Sequence, residues 1–211
     1  MNVRYSLSRL VLFTAALISF IPFSKGAETP TAEIRATVDK VLTLLKESSL
    51  TEAERRKQLR DVIYPRFDFQ QMAASSLGFY WRQLNSAQRQ EFADAFVALL
   101  EDTYIERIES YQGETVNYVG ETLEGSYAEV KTILTSSRRG TQVSINYRML
   151  LRDDDWKVYD VVIENISLIN NYRAQFDRVI AQSSFEDLLR KMREKQMELK
   201  KSPRVNDNFT E

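Results

Sequence analysis

The chain has 211 residues, with 29 basic and 30 acidic side chains, a formal net charge of −1, and neither histidine nor cysteine. Without imidazole or thiolate there is no Ser-His-Asp triad, no Cys-His pair and no nitrogen- or sulfur-ligated zinc, and the balance of charge argues against nucleic acid as a partner. The length suits one domain with a sizeable core, which must hold together by packing because no disulfide is available.

Residues 1–26 read as a cleaved signal peptide. Arg4 and Arg9 precede the apolar run "LVLFTAALISFIPF", which is shorter than the roughly 20 residues a membrane-spanning helix needs. Ser24 and Gly26 supply the small-x-small pattern for a cut after Gly26, and no cysteine follows to carry a lipid anchor. Removing Arg4, Arg9 and Lys25 leaves 26 basic against 30 acidic residues, a net charge of −4. The expectation is an exported chain, with a single α+β domain over 27–201 and a disordered polar tail over 202–211.

Residues 30–47 carry Ile34, Val38, Val41, Leu42 and Leu45 at helical spacing. Thr51 with Glu54 forms a capping-box pattern that opens a second helix, which Pro65 ends. "FDFQQMAASSLG" predicts a short third helix closed by Gly78. The longest helix starts at Asn85-Ser86 and runs to about Tyr111, with Phe92, Phe96, Leu99, Leu100, Tyr104 and Ile108 on one face.

After Gly113 the period changes from 3.6 to 2. Residues 115–122, 126–135, 141–152 and 156–164 read as four strands of an antiparallel meander, joined near Glu124-Gly125, Arg138-Arg139-Gly140 and Asp153-Asp155. On the third strand Val143, Ile145, Tyr147, Met149 and Leu151 face one way. The fourth departs from alternation, because Val161, Val162 and Ile163 are apolar in succession and so call for cover on both faces. Residues 168–181 are helical again, and Ser184 with Asp187 caps a last helix to about Leu199. Helices, then strands, then helices imply an α+β fold, with helices gathered on an antiparallel sheet of four or slightly more strands.

The acidic run at 153–155 reads as a solvated hairpin turn, since it lacks further ligands at calcium-loop spacing. A carboxylate pair of the glycosidase type is the remaining catalytic option, and no spacing singles one out. The chain therefore reads as a binding protein, with no enzymatic activity and no cofactor.

The strand "WKVYDVVIENISLINNYRAQF" together with "LGFYWRQLNSAQRQEFADAFVALLEDTYIERIESY" closely resembles the toluene-tolerance (MlaC) family of periplasmic phospholipid-binding proteins. The motifs are an LG-x-x-W turn, a Q-x-x-x-F-x-x-x-F helix with a tyrosine near its end, then WKVYDV and SL-x-x-x-YR-x-x-F. Asn165 stands where glycine is expected in many relatives, and asparagine also tolerates positive φ.

The resemblance implies a carrier of phospholipid between an outer-membrane lipoprotein–porin complex and the substrate-binding subunit of an inner-membrane ABC transporter. It implies acyl chains held between sheet and helices, so that strand 156–164 would face Phe92, Phe96 and Leu100 across lipid. The implied lipid-binding residues are Met72, Leu77, Trp81, Phe92, Phe96, Leu99, Leu100 and Tyr104 on the helical side. On the strands they are Val130, Ile145, Tyr147, Met149, Val161, Ile163 and Ile166. Spacing alone equally makes all of these ordinary core.

Arg148 and Arg173 are the candidates for a head-group phosphate, since guanidinium pairs bidentately with phosphate oxygens. The alternatives are a solvated Arg148 and an Arg173 bridged to Asp160 or Glu164. The basic stretch from Lys191 to Lys201 suggests either an anionic membrane surface or, given Glu194 and Glu198, a solvated helix. The second functional reading is an α+β module with a small pocket for another apolar ligand.

Overall fold

A computed structural model describes residues 28–136 and 140–201, so the expected signal peptide, the Arg138-Arg139 hairpin tip and the 202–211 tail lie outside the described residues. The helices are α1 (Pro30–Lys46), α2 (Glu52–Ile63), α3 (Phe69–Leu77), α4 (Ser86–Glu109), α5 (Leu168–Gln182) and α6 (Phe185–Lys201). Their starts are fixed by local chemistry. Thr29 caps α1 with Pro30 in the first turn, and Asp68 and Ser167 cap α3 and α5. Reciprocal capping boxes open α2, through Thr51 and Glu54, and α4, through Asn85 and Gln88.

The strands β1 (Thr115–Glu124), β2 (Tyr127–Thr135), β3 (Gln142–Arg152), β4 (Asp155–Ile163) and β5 (Ile166–Ser167) form one antiparallel sheet in sequence order. The β3–β4 link is a tight two-residue turn with Asp153 and Asp154 at φ 51° and 61°; Glu164 and Asn165 make the same kind of turn into β5 at 48° and 66°. Glu164 is held in this unusual conformation by pairing with Ser144. Its N–H donates to the Ser144 carbonyl at 3.0 Å, and its carboxylate accepts from the Ser144 N–H.

Two bulges set the faces of the sheet. On β1 the register slips at Val119, between Tyr118 and Gly120; on β4 it slips at Tyr159, because Arg148 pairs with Asp160 but Met149 with Val158. An extra residue inverts the alternation beyond it. Trp156 and Val158 therefore share a face with Val161 and Ile163, and Val162 points to the other. The consecutive apolar residues of β4 follow from this geometry. Val162 lies buried on the outer face together with Asp160, whose carboxylate accepts from the Ile169 N–H at the start of α5.

Two hydrophobic clusters result. In the first, α3, α4, α5 and α6 bury Met72, Leu77, Phe92, Phe96, Leu99, Leu100, Ile169, Phe176 and Leu188 among themselves. In the second, Ile34 of α1 closes on Ala128, Val130, Met149, Trp156 and Val158 of the inner sheet face, with Val38 packed beside it. Phe67 packs against both and bridges to Val158 in parallel. The expected placement of the long helix across from β4 is thus corrected. Helix α1 is the cover of the inner face, and the aromatic stripe of α4 turns toward the rings of α5 and α6.

Arg66 ties α1 to the sheet: its guanidinium donates to Asp155 at 2.7 Å, to the Trp156 carbonyl and to Glu33. Burial works against the Asp155 carboxylate, but hydrogen bonds from Lys157 and Arg66 outweigh it and hold the pKa below the ordinary 3.8. A lowered carboxylate pKa adds stability that is complete above the unfolded value and is lost as pH falls through the folded one. The stability gap between wild type and Asp155→Asn, measured by urea unfolding, should therefore be constant at neutral pH and shrink below the ordinary carboxylate range. A gap unchanged into strong acid would show that Asp155 contributes no ionic term.

Candidate functional site

The inner sheet face divides into a covered and an open half. Over the covered half, nearest the β1–β2 and β3–β4 turns, lies α1. From under its margin outward the registers align Glu121, Val130, Tyr147 and Val161 in one row, then Tyr118, Thr132, Ile145 and Ile163, then Val116, Leu134 and Val143. Tyr118, Ile145, Tyr147, Val161, Ile163, Val116, Leu134 and Val143 are only half-buried, so the sheet presents a nearly continuous apolar wall. Thr132 interrupts it without cost, since its hydroxyl donates to the Ile145 carbonyl at 2.6 Å.

Open grooves flank the helices. One of about 470 Å³ runs between α1 and α2, lined by Asp39, Lys40, Thr43, Leu44, Gln58, Asp61 and Val62. Another of about 350 Å³ lies between α3 and α4, lined by residues including Tyr64, Phe69, Val97 and Glu101. An ion pair joins α2 to α4, Arg56 with Glu109 at 2.8 Å, and just after α2 the Tyr64 hydroxyl donates to Glu101 at 2.7 Å. Burial, followed by the hydrogen bond to Glu101, drives the Tyr64 phenol well above its usual range.

The structure separates the residues that the sequence grouped as one site. Met72, Leu77, Phe92, Phe96, Leu99 and Leu100 lie inside the helical cluster. Trp81 and Tyr104 sit at its margin. Trp81 meets the Phe92 ring edge-on at 6.4 Å, beneath Arg89, whose Nε donates to the Trp81 carbonyl. Burial, with Tyr172 beside it, pushes the Tyr104 phenol up to about 12. Val130 and Met149 are buried under α1. Ile145, Tyr147, Val161 and Ile163 come together on the apolar wall, and Ile166, paired with Ile163 in β5, lies at its edge with 63% exposure.

Neither arginine singled out for a phosphate faces the wall. Arg148 lies on the outer face, 3.2 Å from Asp160 and 3.9 Å from Glu129. Arg173 donates from Nε to the Ser75 carbonyl at 2.7 Å and lies against Gly78, where it closes the end of α3. The bridge expected from Arg173 to Asp160 or Glu164 is replaced by these contacts.

Sequence reasoning missed Tyr118, Arg35 and Phe67. The guanidinium of Arg35, on α1, stacks over the Tyr118 ring at 4.0 Å from its centroid. The sequence did hold a signal for Tyr118: Val116 and Tyr118 alternate, then the phase shifts to Glu121 and Leu123, as a bulge requires. Among the described residues no three His, Cys, Asp or Glu side chains gather as a metal site, and no helix is long and apolar enough to cross a membrane. What remains is an apolar surface edged by phenols and a cation, suited to holding an amphiphile.

Residues 35–194 match the family model described as MlaC protein. Over 143 residues the chain is 19% identical to the intermembrane phospholipid transport system binding protein MlaC of Haemophilus influenzae, covering 66% of this chain and 67% of that relative. The fold also matches the solved structure of a phospholipid-binding protein from Ralstonia solanacearum in complex with a phospholipid. That match has a TM-score of 0.73 and 28% identity, and covers 81% of this chain and 98% of the other. The family match begins on the helix that covers the sheet, takes in every strand and ends within α6; this chain belongs to the MlaC protein family.

Proposed function

We propose that the protein is a periplasmic phospholipid carrier. It takes lipid between an outer-membrane lipoprotein–porin complex and the substrate-binding subunit of an inner-membrane ABC transporter, without catalysing a reaction. The observation that carries the reading is the half-buried apolar wall of β1–β4, in a chain whose fold matches a protein solved with a phospholipid bound. Two acyl chains hold on the order of 30 methylenes, each worth about 0.8 kcal/mol when taken out of water, or roughly 20–25 kcal/mol in all. A phospholipid therefore crosses an aqueous compartment only against a protein surface that replaces the bilayer. Export by the signal peptide over residues 1–26 supplies the compartment, and transient docking on either membrane complex supplies entry and release.

Extraction and mass spectrometry of the purified protein test the reading directly, with co-purified diacyl phospholipid as the expected result. A small aromatic or sterol-like ligand in its place would favour the second reading. The wall gives a sharper measurement. Val161→Trp puts bulk where the side chain is only half-covered, so stability should change by about 1 kcal/mol or less while bound lipid falls severalfold. In a filled core the same change would cost typically 1–3 kcal/mol. A large stability loss with lipid content unchanged would move the lipid off this face.

A further inference from the structure

Tyr118 has a single polar side-chain atom, and that hydroxyl is sealed from solvent with no hydrogen-bond partner among the described residues. Other sealed atoms belong to groups that bond elsewhere: Arg66 through its terminal nitrogens, Arg55 to the Leu50 carbonyl, and Asp68 through its second oxygen. Tyr118 has no second atom to pair. A buried, unpaired donor is a standing cost to folding, and one retained in an apolar wall calls for an acceptor brought from outside.

The surroundings narrow that acceptor. Tyr118 stands in the row with Thr132, Ile145 and Ile163, and Tyr147 lies diagonally across the same face. Burial, then Asp39, keeps Tyr118 protonated; burial, then Tyr118, does the same for Tyr147. Both phenols are therefore permanent donors. On the solvent side Arg35 stacks on the Tyr118 ring and is exposed, and no carboxylate among the described residues pairs with it. The order from inside to outside is apolar wall, neutral donor, cation. A diacyl glycerophospholipid has the complementary order of alkyl chain, ester carbonyl and phosphodiester.

Resting on the phospholipid reading above, we propose that Tyr118 donates its hydroxyl to an ester carbonyl of the bound lipid and that Arg35 meets the phosphodiester next to it. The pair sets how deep the lipid sits, with chains against Ile145 and Ile163 and the head group outward beside α1.

The test compares a diester phosphatidylglycerol with its diether counterpart of the same chains, both titrated into delipidated protein. Wild type should bind the diester about 5–10-fold more tightly, the usual worth of one hydrogen bond to a neutral acceptor. Tyr118→Phe should bind both lipids as wild type binds the diether. Its lipid-free melting temperature should stay level or rise, because no bond within the protein is lost. Arg35→Gln should weaken both phospholipids and leave binding of a neutral diacylglycerol unchanged.

Equal binding of diester and diether by wild type would overturn the assignment. So would a preference that survives Tyr118→Phe, or a lipid-free Tyr118→Phe protein that melts lower, since the hydroxyl would then serve the fold. Binding of neither phospholipid by wild type is a different pattern; it overturns the carrier reading itself.

Discussion

Phe96→Ala is expected to lower the unfolding free energy by about 3–5 kcal/mol and to leave bound lipid per folded molecule unchanged. Phe96 is fully buried. Its ring stacks on Phe92 at 5.9 Å and meets Tyr172 and Phe176 edge-on at 5.3 and 5.8 Å. Truncation removes one ring from this mutual arrangement and leaves a cavity that three helices must close around. Such aromatic pairs add to the burial term, so the loss should fall in the upper part of the range. Urea unfolding together with lipid extraction from the folded fraction gives both numbers on one preparation. If lipid drops while stability holds, the α4 stripe lines the ligand after all.

Asp160→Ala should cost about 3 kcal/mol, a large effect for one surface-layer strand residue. The carboxylate is only 5% exposed and serves three donors: the Ser167 hydroxyl at 2.6 Å, the Ile169 N–H at 3.1 Å and Arg148 at 3.2 Å. Ser167 in turn accepts from the Asn170 N–H, so one acid links β3, β4 and the first turn of α5. Asp160→Asn keeps an acceptor for the Ile169 N–H and loses the charge that pairs with Arg148, so it should be clearly milder. Equal losses for the two variants would mean that the pairing with Arg148, not the cap of α5, carries the effect.

The contrast between these two residues shows what was legible in the sequence. Helix starts were, because a cap and its partner lie three residues apart: Thr51 with Glu54 and Ser184 with Asp187 form as spacing predicts, and Asn85 opens the long helix where it was placed. The meander and its turns were legible too, since acidic residues and asparagine mark where φ becomes positive. Burial of Phe92 and Phe96 followed from period, but period says nothing about which element covers a stripe. That choice depends on the return of α5 and α6 after the sheet, about 80 residues later, and the long helix was placed against the wrong partner.

The site was legible in part. Ile145, Tyr147, Val161 and Ile163 do share a face, yet Tyr118 was missed: the phase shift from Val116 and Tyr118 to Glu121 and Leu123 marks a bulge whose place is fixed only by pairing with β2. Arg148 was misread because its partner, Asp160, lies twelve residues away across a register slip. Arg35 carries no local pattern at all; its meaning comes from the ring beneath it.

The two bulges also decide where the chain tolerates a change of length. Val119 and Tyr159 are the unpaired residues of their ladders, so deleting either would leave the pairs on both sides in place and keep Tyr118, Val161 and Ile163 on the inner face. A codon lost at those positions is a local injury: it removes the bend and added twist of a bulge and leaves the wall facing as it does. Between Ser136 and Thr141 a change of length is equally free, because the pairing of β2 with β3 begins outside it, at Thr135 and Gln142. Among family members, insertions and deletions should therefore gather at that turn and at the two bulges, and spare the paired residues of β1 and β4.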